Sequence, residues 1–229
     1  MASESDYTPH PQFESGSLIL IFGQSQSGKS SWLTQAIIEH KAHWKQKIKR
    51  LIYIYKEDDA NSAKLKKHFK NGIFLKSIPD DLEDMVEPSC TLVVFDDFQI
   101  DLSSKRNVKM LKKWGTIKLH HDDFCCAITL QNYDVFYKRN ELNFLLYQTS
   151  SLVLFRSLNN FCALKRFLNA YEIKLKENDT LYDVFKKFVQ SKPYSHLIIN
   201  LSPKLKSPQV YSQVLFNDDR PLLIFHEDC

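Results

Sequence analysis

The chain has 229 residues, 43% hydrophobic and 13% aromatic, enough apolar material for one α/β domain of ordinary size. Five glycines and eight prolines exclude a collagen-like or low-complexity chain. Apolar runs such as Leu18–Phe22 fall far short of the ~20 residues that cross a bilayer, so no membrane partner is expected. The five cysteines form no Cys-x-x-Cys pair, and Cys125-Cys126 reads as a buried pair of thiols in a reducing, intracellular compartment.

The formal net charge is +4 but unevenly spread. Lysines dominate from Lys41 to Lys76, Asp80 to Asp101 is acidic, and Lys105, Arg106, Lys109, Lys112, Lys113 and Lys118 turn positive again. Such blocks fit either a nucleic-acid footprint or ordinary solvated helix faces.

Residues 1–16 are polar and carry Glu4, Asp6 and Glu14. They read as a short flexible leader rather than a secretory signal, leaving residues 17–229 as one domain. Strands are expected at Ser17–Phe22, Leu51–Tyr55, Ile73–Leu75, Thr91–Phe95, Cys125–Leu130 and Ser151–Phe155. Helices are expected between them at Lys29–Trp44, Ala60–Phe69, Lys105–Leu119 and Asn160–Tyr171. Strands apolar on both faces and alternating with helices predict a mainly parallel sheet flanked by helices. A helix over Thr180–Gln190 follows, capped by Asp179 or Thr180. Short apolar segments at His196–Leu201, Ser212–Phe216 and Leu222–Phe225 then predict an antiparallel extension of the same sheet.

The first strand runs into Gly23-Gln24-Ser25-Gln26-Ser27-Gly28-Lys29-Ser30, a full match to G-x-x-x-x-G-K-[ST] between a strand and a helix. Glycines let the backbone turn its N–H groups inward on phosphate, and the helix start adds positive potential. Lys29 is placed for the terminal phosphates of ATP and Ser30 for Mg2+, with Ser31 one residue into the helix. The segment Thr91–Asp97 is an apolar strand ending in two carboxylates. Asp96 is the candidate magnesium partner, and Asp97 stands where a water-orienting acid is needed. A third apolar strand ends in Gln131-Asn132. Gln131 is the first candidate for an amide that senses the terminal phosphate or the attacking water, and Asn132 is the second. These features predict a P-loop NTPase fold, and their order resembles the RecA/FtsK-like kind.

With the loop, Asp96-Asp97 and Gln131-Asn132 in this order, the chain resembles the FtsK–HerA superfamily. More narrowly, it resembles the genome-packaging ATPases of poxviruses, virophages and Polinton (Maverick) transposons. His120-His121 before the Gln131-Asn132 strand, Leu152–Ser157 and Pro193–Asn200 extend the likeness to the C-terminal part. The resemblance implies a homo-oligomeric ring, hexamer or pentamer, that drives double-stranded DNA into a capsid, with a capsid or portal protein as a further partner. It implies action in a host nucleus, viral factory or virion. It also implies an arginine donated across a subunit boundary; Arg139 is the first candidate and Arg156 the second. The spacing around Asn140, Asn143 and Gln148 departs from the family pattern, and no arginine stands near Val210–Ser212. A nucleotide-gated DNA-binding or scaffold module with weak ATPase activity is the alternative reading. His120-His121 read as groups that pack or polarise the sensor strand rather than as metal ligands.

Overall fold

The computed structural model describes residues 12–132, 142–156, 161–169, 180–190, 193–205, 208–214 and 222–225. The apolar runs form strands β1 (Leu18–Phe22), β2 (Arg50–Tyr55), β3 (Ile73–Leu75), β4 (Thr91–Asp96), β5 (Cys125–Leu130) and β6 (Ser151–Phe155). Three more follow: β7 (Ser195–Asn200), β8 (Gln209–Val214) and β9 (Leu222–Phe225). They make one nine-stranded sheet in the order β3-β2-β4-β5-β1-β6-β7-β8-β9. The first six strands pair in parallel, and β7, β8 and β9 add in antiparallel fashion beyond β6. The expected fold class is the one observed.

The parallel strands β1, β2, β4, β5 and β6 are mostly apolar because both of their faces are covered, while β3 at the edge of the sheet is half-buried. Leu18, Leu20 and Phe22 face one core layer and Ile19 and Ile21 the other. All five are at most 1% exposed, and burying each contributes ~1.5–3 kcal/mol. A charge at Ile21 would therefore break the centre of the sheet. On one face lies α1 (Lys29–Ile38), which buries Trp32, Leu33, Ala36 and Ile37, beside α2 (His40–His43) and α3 (Ala60–His68). The other face carries α4 (Gln99–Leu102), α5 (Lys105–Lys113), α6 (Leu119–His121) and α7 (Phe144–Gln148). It also carries α8 (Phe161–Asn169) and α9 (Leu181–Phe185). Asp59 and Ser62 form a capping box at the start of α3. Thr180 and Asp183 do the same for α9, so Thr180 is the cap there.

Several boundaries differ from the sequence expectation for tertiary reasons. The helix expected over Lys29–Trp44 leaves helical geometry at Glu39. Past α2 the chain straightens so that Trp44 bridges Phe13 in parallel, with the two rings 5.1 Å apart. Phe13 is 1% exposed, so the stretch expected to be a leader up to residue 16 joins the core from Phe13 onward. The helix expected to end at Leu119 instead passes through a wide π-helical turn, Trp114–Lys118, and continues to His121. Gly115 lies in that turn and lets Gln148 of α7 approach: a Cβ there would stand 3.1 Å from the Gln148 side chain. The antiparallel strands begin earlier than expected, at Ser195 and Gln209. The short α4 and α7 have too few turns to leave a periodic signal.

Candidate nucleotide-binding site

Parallel pairing brings the C-terminal ends of β1, β4, β5 and β2 to one edge of the sheet, where the chemistry-bearing residues collect. β5 lies between β1 and β4, so Gln131 emerges between the loop after β1 and the acids after β4. Period-two alternation sets the facing: Ile19 and Ile21 of β1, Tyr53 of β2, Val94 of β4 and Ala127 of β5 all line the α1 side. By the same alternation Asp96 and Thr129 point to the side from which Ser30 of α1 approaches.

The loop from Gly23 to Ser30 is held by a bond from the Gly23 amide to the Leu130 carbonyl, 3.1 Å. Gly23 is required by space: a Cβ there would stand 2.5 Å from Ser27 Oγ and 2.7 Å from Phe155 Cβ. Gly28 is required by conformation, since it starts α1 at a φ of 100°. Ser25 and Gln26 are exposed at the loop tip, and Gln26 takes the left-handed region with a φ of 62°. Ser27 Oγ is buried with no protein partner. Lys29 is 8% exposed and donates to the carbonyls of Gly23 at 2.7 Å and Gln24 at 2.9 Å. Burial lowers its pKa from the ordinary lysine value, and the charges of Asp96 and Asp97 oppose that shift. Ser31 is half-buried on the first turn of α1.

Asp96 collects three hydroxyl donors. Ser30 Oγ at 3.1 Å and Thr129 Oγ1 at 2.8 Å donate to one oxygen, and Tyr53 Oη at 2.6 Å donates to the other. Burial, followed by the Asp96 charge, raises the Tyr53 pKa far above the usual phenol value, so Tyr53 stays a donor. Asp97 is exposed beyond the strand. Its φ of 61° lies in the left-handed region, which aspartate tolerates better than most residues. Its amide donates to Thr129 Oγ1 at 2.9 Å, and its carboxylate accepts from the Gln131 side-chain amide. Ser30, Asp96 and Asp97 line a cleft of about 540 Å³ together with Tyr53, Tyr55, Lys56, Glu57 and Asp59. Hydroxyl and carboxylate oxygens opening on a polar cleft are the donors that Mg2+ takes, so Ser30 and Asp96 fit that ion.

Tyr53, Thr129 and Gln99 were not legible as site residues. Thr129, a hydroxyl inside an apolar strand, was the one detectable signal; Tyr53 in an apolar run reads as core. Asn132 extends the same turn, and its amide reaches Gln99 Oε1 at 3.4 Å. Arg156 follows β6, which pairs beside β1 with Leu154 opposite Phe22. It therefore stands next to its own chain's loop, on the side away from Asp96, with Nε buried and unpartnered. Arg139 lies outside the described residues. His120 and His121 are exposed on α6, ahead of the N-terminal end of β5. They are at the opposite end of the strand from Gln131, so they do not pack or polarise the sensor end. Among the described residues no group of three or more acids, histidines or cysteines is disposed to hold a metal. No described helix is long and apolar enough to cross a membrane.

The fold and this edge define the class: a P-loop NTPase fold with a mainly parallel sheet. No protein-family model matches the sequence, and no curated protein matches it. Solved structures do. The genome packaging NTPase B204 from Sulfolobus turreted icosahedral virus 2, in complex with AMP, matches with a TM-score of 0.53 at 13% identity, over 91% of this chain and 100% of that one. ATPases 2 and 3 of EssC from Geobacillus thermodenitrificans match with a TM-score of 0.53 at 13% identity, over 93% of this chain and 41% of theirs. ATPases 2 and 3 of EccC from Thermomonospora curvata match with a TM-score of 0.50 at 11% identity, over 89% of this chain and 37% of theirs. At such identities the shared property is the fold.

Proposed function

We propose that this chain is an ATPase of the FtsK–HerA type that couples ATP hydrolysis to movement of double-stranded DNA, as the packaging motor of a virus or virus-like transposon. The observation that carries the reading is the meeting of Asp97 with Gln131 beside Asp96 and Ser30, at the mouth of a complete phosphate loop. The order of the loop, Asp96-Asp97 and Gln131-Asn132, read as resembling the packaging ATPases of poxviruses, virophages and Polinton elements, motivates the finer assignment, and the fold shared with a viral genome packaging NTPase supports its packaging part.

In this reading the loop amides and the Lys29 ammonium bind the phosphates, the lysine exchanging two backbone carbonyls for phosphate oxygens. Ser30 and Asp96 would hold Mg2+, which neutralises phosphate charge when bound. Tyr53 and Thr129 keep the Asp96 carboxylate aimed at the cleft. Asp97 accepts a proton from the attacking water while Gln131 fixes its approach. Arg156, beside its own loop, acts on the nucleotide of its own subunit, and Arg139 is the residue offered to the neighbour in a ring. The ring, a capsid or portal partner, and action in a nucleus, viral factory or virion belong to the same reading.

The test is ATP hydrolysis with and without long duplex DNA at low salt, where phosphate-backbone binding is strongest. Turnover stimulated by DNA and lost in Lys29→Ala and Asp96→Ala is expected; turnover that survives Lys29→Ala refutes the site. A second reading, a nucleotide-gated scaffold with weak ATPase activity, draws on the short reach of Asp97, whose side chain is one methylene shorter than that of a glutamate. Tight ATP binding without turnover, whatever DNA is present, would favour it.

A further inference from the structure

One side chain that does not line the cleft holds the turn beyond β5. Gln99, the first residue of α4, turns its side-chain oxygen to the end of β5. There it accepts from the Gln131 amide at 2.9 Å and the Asn132 amide at 3.4 Å. These are the first two amides beyond Leu130, the last residue of β5, so the Gln99 carbonyl ends the ladder for them. The peptide it holds carries the side chain that donates to Asp97. A chain of bonds thus runs from Gln99 through the Gln131 backbone to the acid.

The base of this clamp is firm. Phe98, just before Gln99, and Leu102, three residues after it, are at most 1% exposed. The Asp101 carbonyl accepts from Asn107 Nδ2 at 2.8 Å, and the Asp101 carboxylate pairs with Lys56 at 2.7 Å. The Lys56 ammonium also lies 4.2 Å from the Phe98 ring centre. Gln131 itself is exposed, so packing does not fix its direction. Holding both of its neighbouring amides from a pinned helix does.

We propose that Gln99 is a positioning residue for hydrolysis: its side-chain oxygen fixes the Gln131-Asn132 turn so that the Gln131 amide stays engaged with Asp97. The inference rests on the ATPase reading of the site. A 1 Å misplacement of an orienting group is enough to cost orders of magnitude in rate, while the phosphate loop that binds nucleotide is held by other bonds.

The experiment compares wild type, Gln99→Met and Gln99→Glu in ATP turnover, with Lys29→Ala as the background control. It also measures amide hydrogen exchange over residues 125–132. Methionine has similar length but no acceptor of comparable strength, and glutamate keeps the oxygen. Gln99→Met is expected to lower kcat by about tenfold or more while changing KM by less than about twofold, the mark of a transition-state effect. It should also speed exchange at Gln131 and Asn132, and Gln99→Glu should restore turnover toward wild type. Unchanged kcat in Gln99→Met with an active wild type overturns the role of Gln99 alone, even if exchange quickens. A parallel loss of kcat and of the unfolding midpoint, not restored by glutamate, also overturns it by showing a merely structural part. Wild type with no turnover above Lys29→Ala overturns the ATPase reading itself, and the Gln99 role with it.

Discussion

Replacing Tyr53 by phenylalanine removes one oxygen and leaves the ring, which packs 5.3 Å from Tyr55 and 6.2 Å from Phe74. The lost hydroxyl is the donor to the second oxygen of Asp96, at 2.6 Å. Tyr53 is 1% and Asp96 8% exposed, so water replaces that donor poorly, and among the described residues this oxygen has no other protein donor. A hydrogen bond to a charged group is worth ~1.5–3 kcal/mol, so Tyr53→Phe is expected to destabilise the protein by about 2 kcal/mol, roughly thirtyfold in the unfolding equilibrium. Urea unfolding at neutral pH should show a lower midpoint with an unchanged slope. A second arm uses alkali. The Tyr53 pKa is raised in the folded state, first by burial and then by the Asp96 charge. The unfolded chain releases this proton near pH 10 while the folded chain keeps it, so the contribution is complete below about pH 10 and lost above it. The decline is ~1.4 kcal/mol per pH unit, and Tyr53→Phe should lack it. A loss under about 0.5 kcal/mol at neutral pH, with the same alkaline slope in both proteins, would refute the claim that Tyr53 holds Asp96.

Gly23→Ala brings a methyl group to 2.5 Å from Ser27 Oγ and 2.7 Å from Phe155 Cβ; it should cost ~1–3 kcal/mol and weaken binding of a fluorescent ATP analogue by more than about tenfold, and a variant that binds normally would show that the loop has room. His196 is fully buried against Phe155 and Trp32, and burial lowers its pKa to about 3. The unfolded chain takes up a proton below about pH 6.5 and the folded chain does not, so stability is complete above that value and falls by ~1.4 kcal/mol per unit toward pH 3; acid unfolding of His196→Leu should be correspondingly shallower, and an unchanged acid limb would count against the buried neutral imidazole. Burial pushes the Cys125 thiol up to about 11 and raises Cys126 further, whereas Cys162 is exposed. Iodoacetamide at mildly alkaline pH should therefore label Cys162 in the native protein and spare Cys125 and Cys126, as read by peptide mass mapping.

Local chemistry made much of the molecule readable. The loop from Gly23 to Ser30 is one contiguous segment whose residue types follow from the turn it makes. The six parallel strands carry apolar residues on both faces, which marks them as strands of a covered sheet without reference to any partner, and all but the edge strand β3 are buried. The helix over Thr180–Gln190 was legible from its apolar spacing and its cap, even though its second half, Lys186–Gln190, takes π-helical geometry. Asp96 and Asp97 were conspicuous because they end an apolar strand in a chain that already carries a complete phosphate loop.

What the sequence by itself made readable is therefore the strands, the longer helices, and the segments that carry the phosphate loop, the candidate acids and the candidate amides. Only the tertiary structure decided which of these meet. β5 inserts between β1 and β4, bringing Gln131 to Asp97 across 34 positions of sequence and Thr129 to Asp96 across 33. Tyr53 and Gln99 gain their parts only from that register, since an aromatic in a strand and an amide in a short helix carry no signal of their own. His120-His121 shows the reverse: prominent in sequence, they fall at the far end of β5. The reason is physical. Periodicity and turn chemistry are local properties of a chain, whereas strand order is set by which crossovers bury both faces of the sheet at once.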